Sequence, residues 1–338
     1  MRTLSLKVLC IVQLGQLLAF ENCYSTRGKI FILSADHWNI VTGASGYTGE
    51  YITRRLLSLE EKVKTLTGHP DRPNPFGNQV PVLPFSFDDP NRLVENLQGV
   101  KWLFNTYWIR FPHGKATYDA AIENTKILLQ SAKTAGVQKF IHISIANPDE
   151  HSPWPYYRGK ALLEKEIKGS GLSYAIIRPT VIFGPEDILI NNIAWCLRRF
   201  PIFAIPGGGD YRLQPAFVED VARMAVESAQ GAGNVVMDAV GPEVFTFRQL
   251  VELLARKLGS KTRIVHVSPG LALLCCRFMG YLTGDILLTK EELEGLMQNL
   301  LVSAQPPTGQ ARLSDWPDRN ASTVGRMYAS ELQRHFER

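Results

Sequence analysis

Through the middle of the 338-residue chain, short apolar runs alternate with longer amphipathic stretches. "NIVTG", Asn39 to Gly43, predicts a strand. Glu50 to Leu59 predicts a helix with Ile52, Leu56 and Leu59 on one face. "KVKTLTG" predicts a second strand and "VPVLPFSF" a third, with the turn-rich "HPDRPNPFGN" between them. "LVENLQG" reads as a short helix closed by Gly99, and "KWLFNTYW" as a fourth strand. Tyr118 to Ala135 predicts a helix with Ile122, Leu128, Leu129 and Ala132 toward a core, and "KFIHISIAN" a fifth strand. "LSYAIIRPTVIFG" gives a sixth strand with its exit loop. Strands and helices alternating at this rhythm form βαβ units. The expected fold is therefore α/β, a Rossmann-type doubly wound parallel sheet with a smaller C-terminal substrate lobe. Strands covered on both faces need no polar alternation.

The remainder is more mixed. "QPAFVEDVARMAVES" reads as a short strand turning into a helix, and "FTFRQLVELLARKLG" as an amphipathic helix closed by Gly259. "TRIVHVSP" and an apolar segment from Gly270 to Leu288 follow, then a helix begun by the Thr289 and Glu292 capping box. The expected organisation is a leader at 1–36, a Rossmann-type domain at 37–180, and a mixed region at 181–338 that completes the sheet and forms the lobe.

Composition narrows the class. Hydrophobic residues make up 45% and charged residues 20%, as in ordinary soluble globular enzymes. The net charge of +5 comes without a basic run carrying interleaved aromatics, so no nucleic-acid partner is expected. Five cysteines are scattered, with no C-x-x-C and no H-E-x-x-H. No metal site or disulfide framework is expected, and reduced thiols fit better. The leader holds Arg2, Lys7 and an apolar run from Val8 to Phe20, which resembles a targeting segment. Gln13, Gly15, Gln16 and the missing A-x-A site argue against one. A cytoplasmic location is favoured, and mitochondrial or membrane-associated ones stay open.

Candidate chemistry begins at Gly43, Gly46 and Gly49, spaced G-x-x-G-x-x-G between a strand and a helix. In such a turn the first glycine permits a backbone closed to other residues. The second admits the pyrophosphate, and the third packs helix on strand. The amides at the helix start face the phosphates. Thr42 to Gly49 resembles the T-G-x-x-G-x-x-G of the extended and atypical short-chain dehydrogenase/reductases. "IIRPTVIFGPED" resembles that family's R-P-x-x-x-x-G segment, and "QPAFVEDVARMAV" its strand-to-helix element with Asp220. The similarity runs from Asn39 to Arg338. It is closest to the epimerase/NmrA-like branch that includes the nucleotide-binding accessory subunit of respiratory complex I. The resemblance implies cofactor contacts from Thr42, Gly43, Ser45, Gly46, Tyr47, Gly49, Arg178 and Pro179, and hydride chemistry of the oxidoreductase or epimerase kind.

An NAD-selective site needs a carboxylate at the end of the second strand, for the ribose 2′-hydroxyl. Here Leu66-Thr67-Gly68-His69 supplies none. His69 or Arg72 is within reach of a 2′-phosphate, so NADP(H) is favoured over NAD(H). The same residues also suit a plain turn that accepts either nucleotide. Asp88 matches the family's adenine-contacting acid, and equally suits a helix cap.

Tyr156 and Lys160 stand four apart on a predicted helix opened by Pro155. A nearby ammonium favours ionisation of a phenol whose pKa is otherwise about 10. In the resembled family, the lysine also holds the nicotinamide ribose and the tyrosine exchanges a proton with the substrate oxygen. Ser144 would hydrogen-bond the substrate carbonyl, and Asn124 would support the site. Tyr157 is an alternative phenol. In the lobe, Arg198, Arg199 and Arg212 suit a sugar-nucleotide diphosphate, whereas Trp108, Phe111 and Trp195 suit an apolar or aromatic substrate. Two functions therefore stand open: hydride transfer on an unknown small molecule, or nucleotide binding without turnover, as a sensor or an accessory subunit of a membrane complex. "PGLALLCCRFMGYLTGDILL", broken by Arg277, Gly280 and Gly284, is too interrupted to span a bilayer. It either covers the pocket or lies in an interface with Leu273, Leu274, Phe278 and Leu282 inward.

Overall fold

The structure is a computed structural model that describes residues 37–335. The leader expectation for residues 1–36, with Cys10 and Cys23, lies outside the described residues. Seven strands form the central sheet: β1 (Trp38–Thr42), β2 (Lys62–Thr67), β3 (Val82–Pro84), β4 (Val100–Asn105), β5 (Lys139–Ile143), β6 (Ser173–Pro179) and β7 (Val235–Ala239). Their order is β7-β6-β5-β4-β1-β2-β3, and every neighbouring pair is parallel. The chain reverses its direction of travel between β1 and β4, which makes the ends of those strands the topological switch point.

Helices cover both faces. α1 (Tyr47–Ser58) and α6 (Val218–Gln230) lie on one side; α2 (Pro90–Leu97), α3 (Tyr118–Thr134) and α4 (Pro155–Gly169) lie on the other. The strands show why they read as continuous apolar runs. Val41, Phe104, Ile141 and Ile177 pack toward α1 and α6, while their neighbours Ile40, Leu103, Phe140 and Ile176 pack toward α2 to α4. Ile52 and Leu56 of α1 are fully buried, each worth about 1.5–3 kcal/mol.

The lobe has its own core of Phe183, Ile190, Leu197, Ile205, Phe247, Leu250 and Leu254. It is built by α5 (Leu189–Arg199), α7 (Phe247–Lys257), α8 (Pro269–Thr283), α9 (Lys290–Met297) and a parallel pair of strands, Ile202–Pro206 and Arg263–Val267. The capping box at Thr289 and Glu292 forms with both bonds, and a second one closes on Thr246 and Gln249.

Three expectations change. The third strand shrinks to Val82–Pro84, because proline at 81 and 84 removes backbone donors. Leu59 caps the end of α1 and is exposed rather than inward. β7, beside β6, was not expected, because its five residues carry no turn-bounded apolar run of their own length. Both readings of the apolar segment stay open: α8 packs on the lobe strand Ile202–Pro206 and lines the large cavity with Leu274 and Phe278, while Leu274, Phe278 and Leu282 are exposed.

Candidate active site at the dinucleotide turn

β1 ends at Thr42, and Gly43 takes φ +64°, a left-handed conformation that glycine alone adopts without strain. Its N–H donates to Leu66 O, and Gly46 N–H donates to Gly43 O, each at 2.8 Å. α1 then starts with no side-chain cap on Gly46. Its first amides lack intrahelical partners and face a cavity lined here by Gly43, Ser45, Gly46, Tyr47 and Thr48. A Cβ on Gly49 would stand 2.1 Å from Gly43 O. Gly49 is therefore the contact at which α1 rests on the turn. This uncapped, anion-seeking helix start at the switch point fits a pyrophosphate. Thr42 is placed otherwise: its hydroxyl is buried, donates to Asn105 Oδ1 at 3.3 Å and accepts from Thr106 and Tyr107 N–H. It ties β1 to the exit of β4 beneath the turn.

His69 and Arg72 line the cavity beside the tip of β2. Arg72 Nη1 donates to the carbonyl of Arg334 at 2.7 Å. The Arg334 guanidinium lies 5.8 Å over the Tyr47 ring and also lines the cavity. No local signal in the sequence marks Arg334, since it reaches the corner only through the tertiary fold. Asp88 is exposed and is not among the cavity-lining residues. The neighbouring Asp89 caps α2 by accepting from Arg92 N–H at 3.2 Å.

Tyr47 also explains the distant glycine of "RPTVIFG". A Cβ on Gly184 would stand 2.7 Å from the Tyr47 hydroxyl and 2.8 Å from Val218. That hydroxyl has no hydrogen-bond partner among the described residues, and burial, then Asp187, raises its pKa. Asp187 lines the cavity and accepts from Gly184 N–H, Ile190 N–H and the Asn191 amide. Burial pushes its carboxyl up to about 7 against those bonds.

The expected catalytic residues separate into two groups. Tyr156 and Tyr157 both line the cavity, with ring centroids 5.7 Å apart. Tyr156 meets Trp108 edge-on at 5.8 Å, and burial raises its pKa. Lys160 and Ser144 are buried and are not among the lining residues. The Lys160 ammonium donates to Ile143 O at 2.7 Å and sits 4.6 Å from the Trp108 ring centre. Burial pulls its pKa down to about 7, opposed by Glu164. Ser144 Oγ donates to Glu164 Oε1 at 2.8 Å, and Arg178 Nε donates to the same oxygen at 2.8 Å. Burial pushes the Glu164 carboxyl up, but Arg178, Ser144 and Lys168 hold it below the usual range. Pro179 ends β6, and its carbonyl accepts from Ala146 N–H. Asn124 donates to the Tyr107 hydroxyl at 2.9 Å, and Tyr107 lines the cavity.

Beyond Tyr156 the cavity continues between sheet and lobe, to a total of about 1970 Å³. Trp154, Ile193, Phe203, Leu293 and Leu296 wall this half. Arg110 enters it already paired with Glu292. Trp108 lines the cavity, whereas Phe111 and Trp195 do not figure in its lining. Arg198 and Arg199 point elsewhere and donate to carbonyls of residues 321–326.

A parallel sheet ordered around such a switch point, with an uncapped glycine turn on β1, defines a dinucleotide-binding Rossmann fold. Residues 43–187 match the family described as NAD(P)H-binding. It is 24% identical over 225 residues to the mitochondrial NADH dehydrogenase (ubiquinone) 1 alpha subcomplex subunit 9 of Arabidopsis thaliana, covering 63% of this chain and 56% of that protein. The chain thus spans little more than half the length of this curated relative. Its structure resembles a nucleoside-diphosphate-sugar epimerase of Staphylococcus aureus, with TM-score 0.65, 17% identity, and coverage of 88% and 99% of the two chains. It also resembles the triphenylmethane reductase of Citrobacter sp. complexed with NADP(H), with TM-score 0.64, 17% identity, and coverage of 86% and 96%. At these identities the likeness to the solved structures is one of fold.

Proposed function

We propose that the protein is an NAD(P)H-dependent oxidoreductase or epimerase of the atypical short-chain type, which prefers NADPH and holds an apolar, ring-bearing molecule beside it. One observation carries this reading: a single cavity of about 1970 Å³ runs from the glycine turn to the aromatic compartment at Tyr156. Small-ligand sites take roughly 300–1,000 Å³, so two molecules fit side by side. A bare sensor needs no second compartment. The basic corner of His69, Arg72 and Arg334, without a carboxylate on β2, supports a 2′-phosphate. When bound, the reduced nicotinamide supplies a hydride. Tyr156 gives its hydroxyl proton to the oxygen of the carbonyl so reduced, and regains a proton from water. Lys160, beneath Trp108, acts as a positioning residue for the Trp108 and Tyr156 pair.

The test is turnover of NADPH with a panel of aromatic ketones and quinones. Tyr156→Phe is expected to lose turnover and keep NADPH affinity. Retained activity in Tyr156→Phe, with Tyr157→Phe dead, would move the role to Tyr157. The inward bonds of Ser144 and Lys160 favour a second reading, a nucleotide-binding accessory subunit of a mitochondrial or other membrane complex. NADPH binding without any turnover, together with co-migration of the chain with a large complex on native gels, is its signature.

A further inference from the structure

Helix α8 presents a face that nothing in the described residues covers. Leu271, Leu274, Phe278, Tyr281 and Leu282 recur at helical spacing on one side. Phe278 is 62% exposed and Tyr281 86% exposed. Isolated exposed apolar residues are ordinary, but a contiguous stripe marks an interaction surface. The helix has 15 residues, short of the roughly 20 apolar residues needed to cross a bilayer. Leu274 and Phe278 also line the mouth of the large cavity, as does Ile202, which is 56% exposed on the strand under α8.

A second observation lies on the other side of Phe200 and Pro201, two residues that line both the large cavity and a separate cleft of about 760 Å³. That cleft is lined by Arg198, Arg199, Lys261 and Arg326, with no Asp or Glu among its described lining residues. Arg199, Lys261 and Arg326 are exposed. The Arg198 pKa is lowered by burial and then by Arg326 and Arg199, so the cations crowd one another without an acid to answer them. The lining of the large cavity, by contrast, carries both signs, with Lys115 and Arg110 beside acids such as Glu291 and Glu292 among its residues. An apolar stripe beside an unanswered cationic cleft matches the acyl chains and phosphates of an anionic lipid surface. A symmetric contact with a second copy would bring the same cations together. The leader offers Glu21 against its own Arg2 and Lys7.

We propose that the exposed face of α8 and the Arg199 and Lys261 cleft dock the protein on an anionic bilayer, with the cavity mouth at the lipid surface. The inference does not depend on turnover. The purified full chain is floated with vesicles of phosphatidylcholine alone and of phosphatidylcholine mixed with phosphatidylglycerol. It rises with the anionic vesicles and is released by salt. Tyr281→Ser with Leu282→Ser, and separately Arg199→Glu with Lys261→Glu, each lower partition roughly tenfold or more. Both pairs keep NADPH affinity, since none of the four residues lines the large cavity. Absence of flotation on either vesicle overturns the proposal. So does flotation that survives both double variants, which would place binding elsewhere on the chain. Self-association abolished by Tyr281→Ser with Leu282→Ser, in a protein that never floats, would assign the face to a second copy and overturn it equally.

Discussion

Gly49→Ala separates the packing role of the glycine turn from its ligand role. The added Cβ would meet Gly43 O at 2.1 Å and Gly43 C at 2.9 Å, where ordinary contact begins at 3.4 Å. Both atoms are backbone, so α1 must lift from the turn by more than an ångström. Overpacking of this kind costs about 1–3 kcal/mol, and a domain of this size loses roughly 2–4 °C of Tm per kcal/mol. The lifted helix also carries its first amides away from any phosphate. Gly46→Ala is the control. Its Cβ would stand 3.1 Å from the same oxygen, which needs a shift of a few tenths of an ångström. It should melt near wild type and still weaken NADPH binding, because the methyl group intrudes on the side where a pyrophosphate would lie. The assay is thermal unfolding by circular dichroism, beside NADPH titration by fluorescence transfer from tryptophan. Wild-type Tm and affinity in Gly49→Ala would refute the packing argument. Unchanged affinity in Gly46→Ala would refute the phosphate cradle.

Two further outcomes follow from the same geometry. Arg72→Ala with Arg334→Ala should lower NADPH affinity while sparing NADH, measured by calorimetry; an equal loss for both nucleotides would remove the 2′-phosphate from that corner. Lys160 titrates near 7 when folded, against 10.5 for its ordinary value, so between those values the unfolded chain binds more protons and stability rises with pH. Its destabilising burial is fully present below about 7. Lys160→Met should therefore melt higher than wild type at neutral pH, with the difference closing toward pH 10.5; a gap independent of pH would show that the buried amine does not titrate as described.

The sheet was legible because both faces of its strands are covered, and apolar runs such as "KFIHI" need no partner information to be read. The glycine turn was legible for a local reason too: Gly43, Gly46 and Gly49 each answer a constraint within seven residues. β7 escaped because its pairing with β6 is decided by the sheet edge, not by its own pattern. The site was legible only in part. Tyr156 could be placed from its spacing, but spacing does not show that Trp108 fills the room between Tyr156 and Lys160. Nor does it show that Glu164, one turn along from Lys160, draws Ser144 inward. Asp88 and Asp89 show the same limit: adjacent acids are alike in sequence, and only the backbone decides that the second one caps α2.

The bond from Arg72 to Arg334 joins positions 262 residues apart. Closing so long a loop carries a high entropy cost before it gives any contact in return. A ligand that uses this corner binds the fold in which the two distant segments have met, and not chains in which they are apart. By mass action, a dinucleotide held there draws the population toward the completed fold.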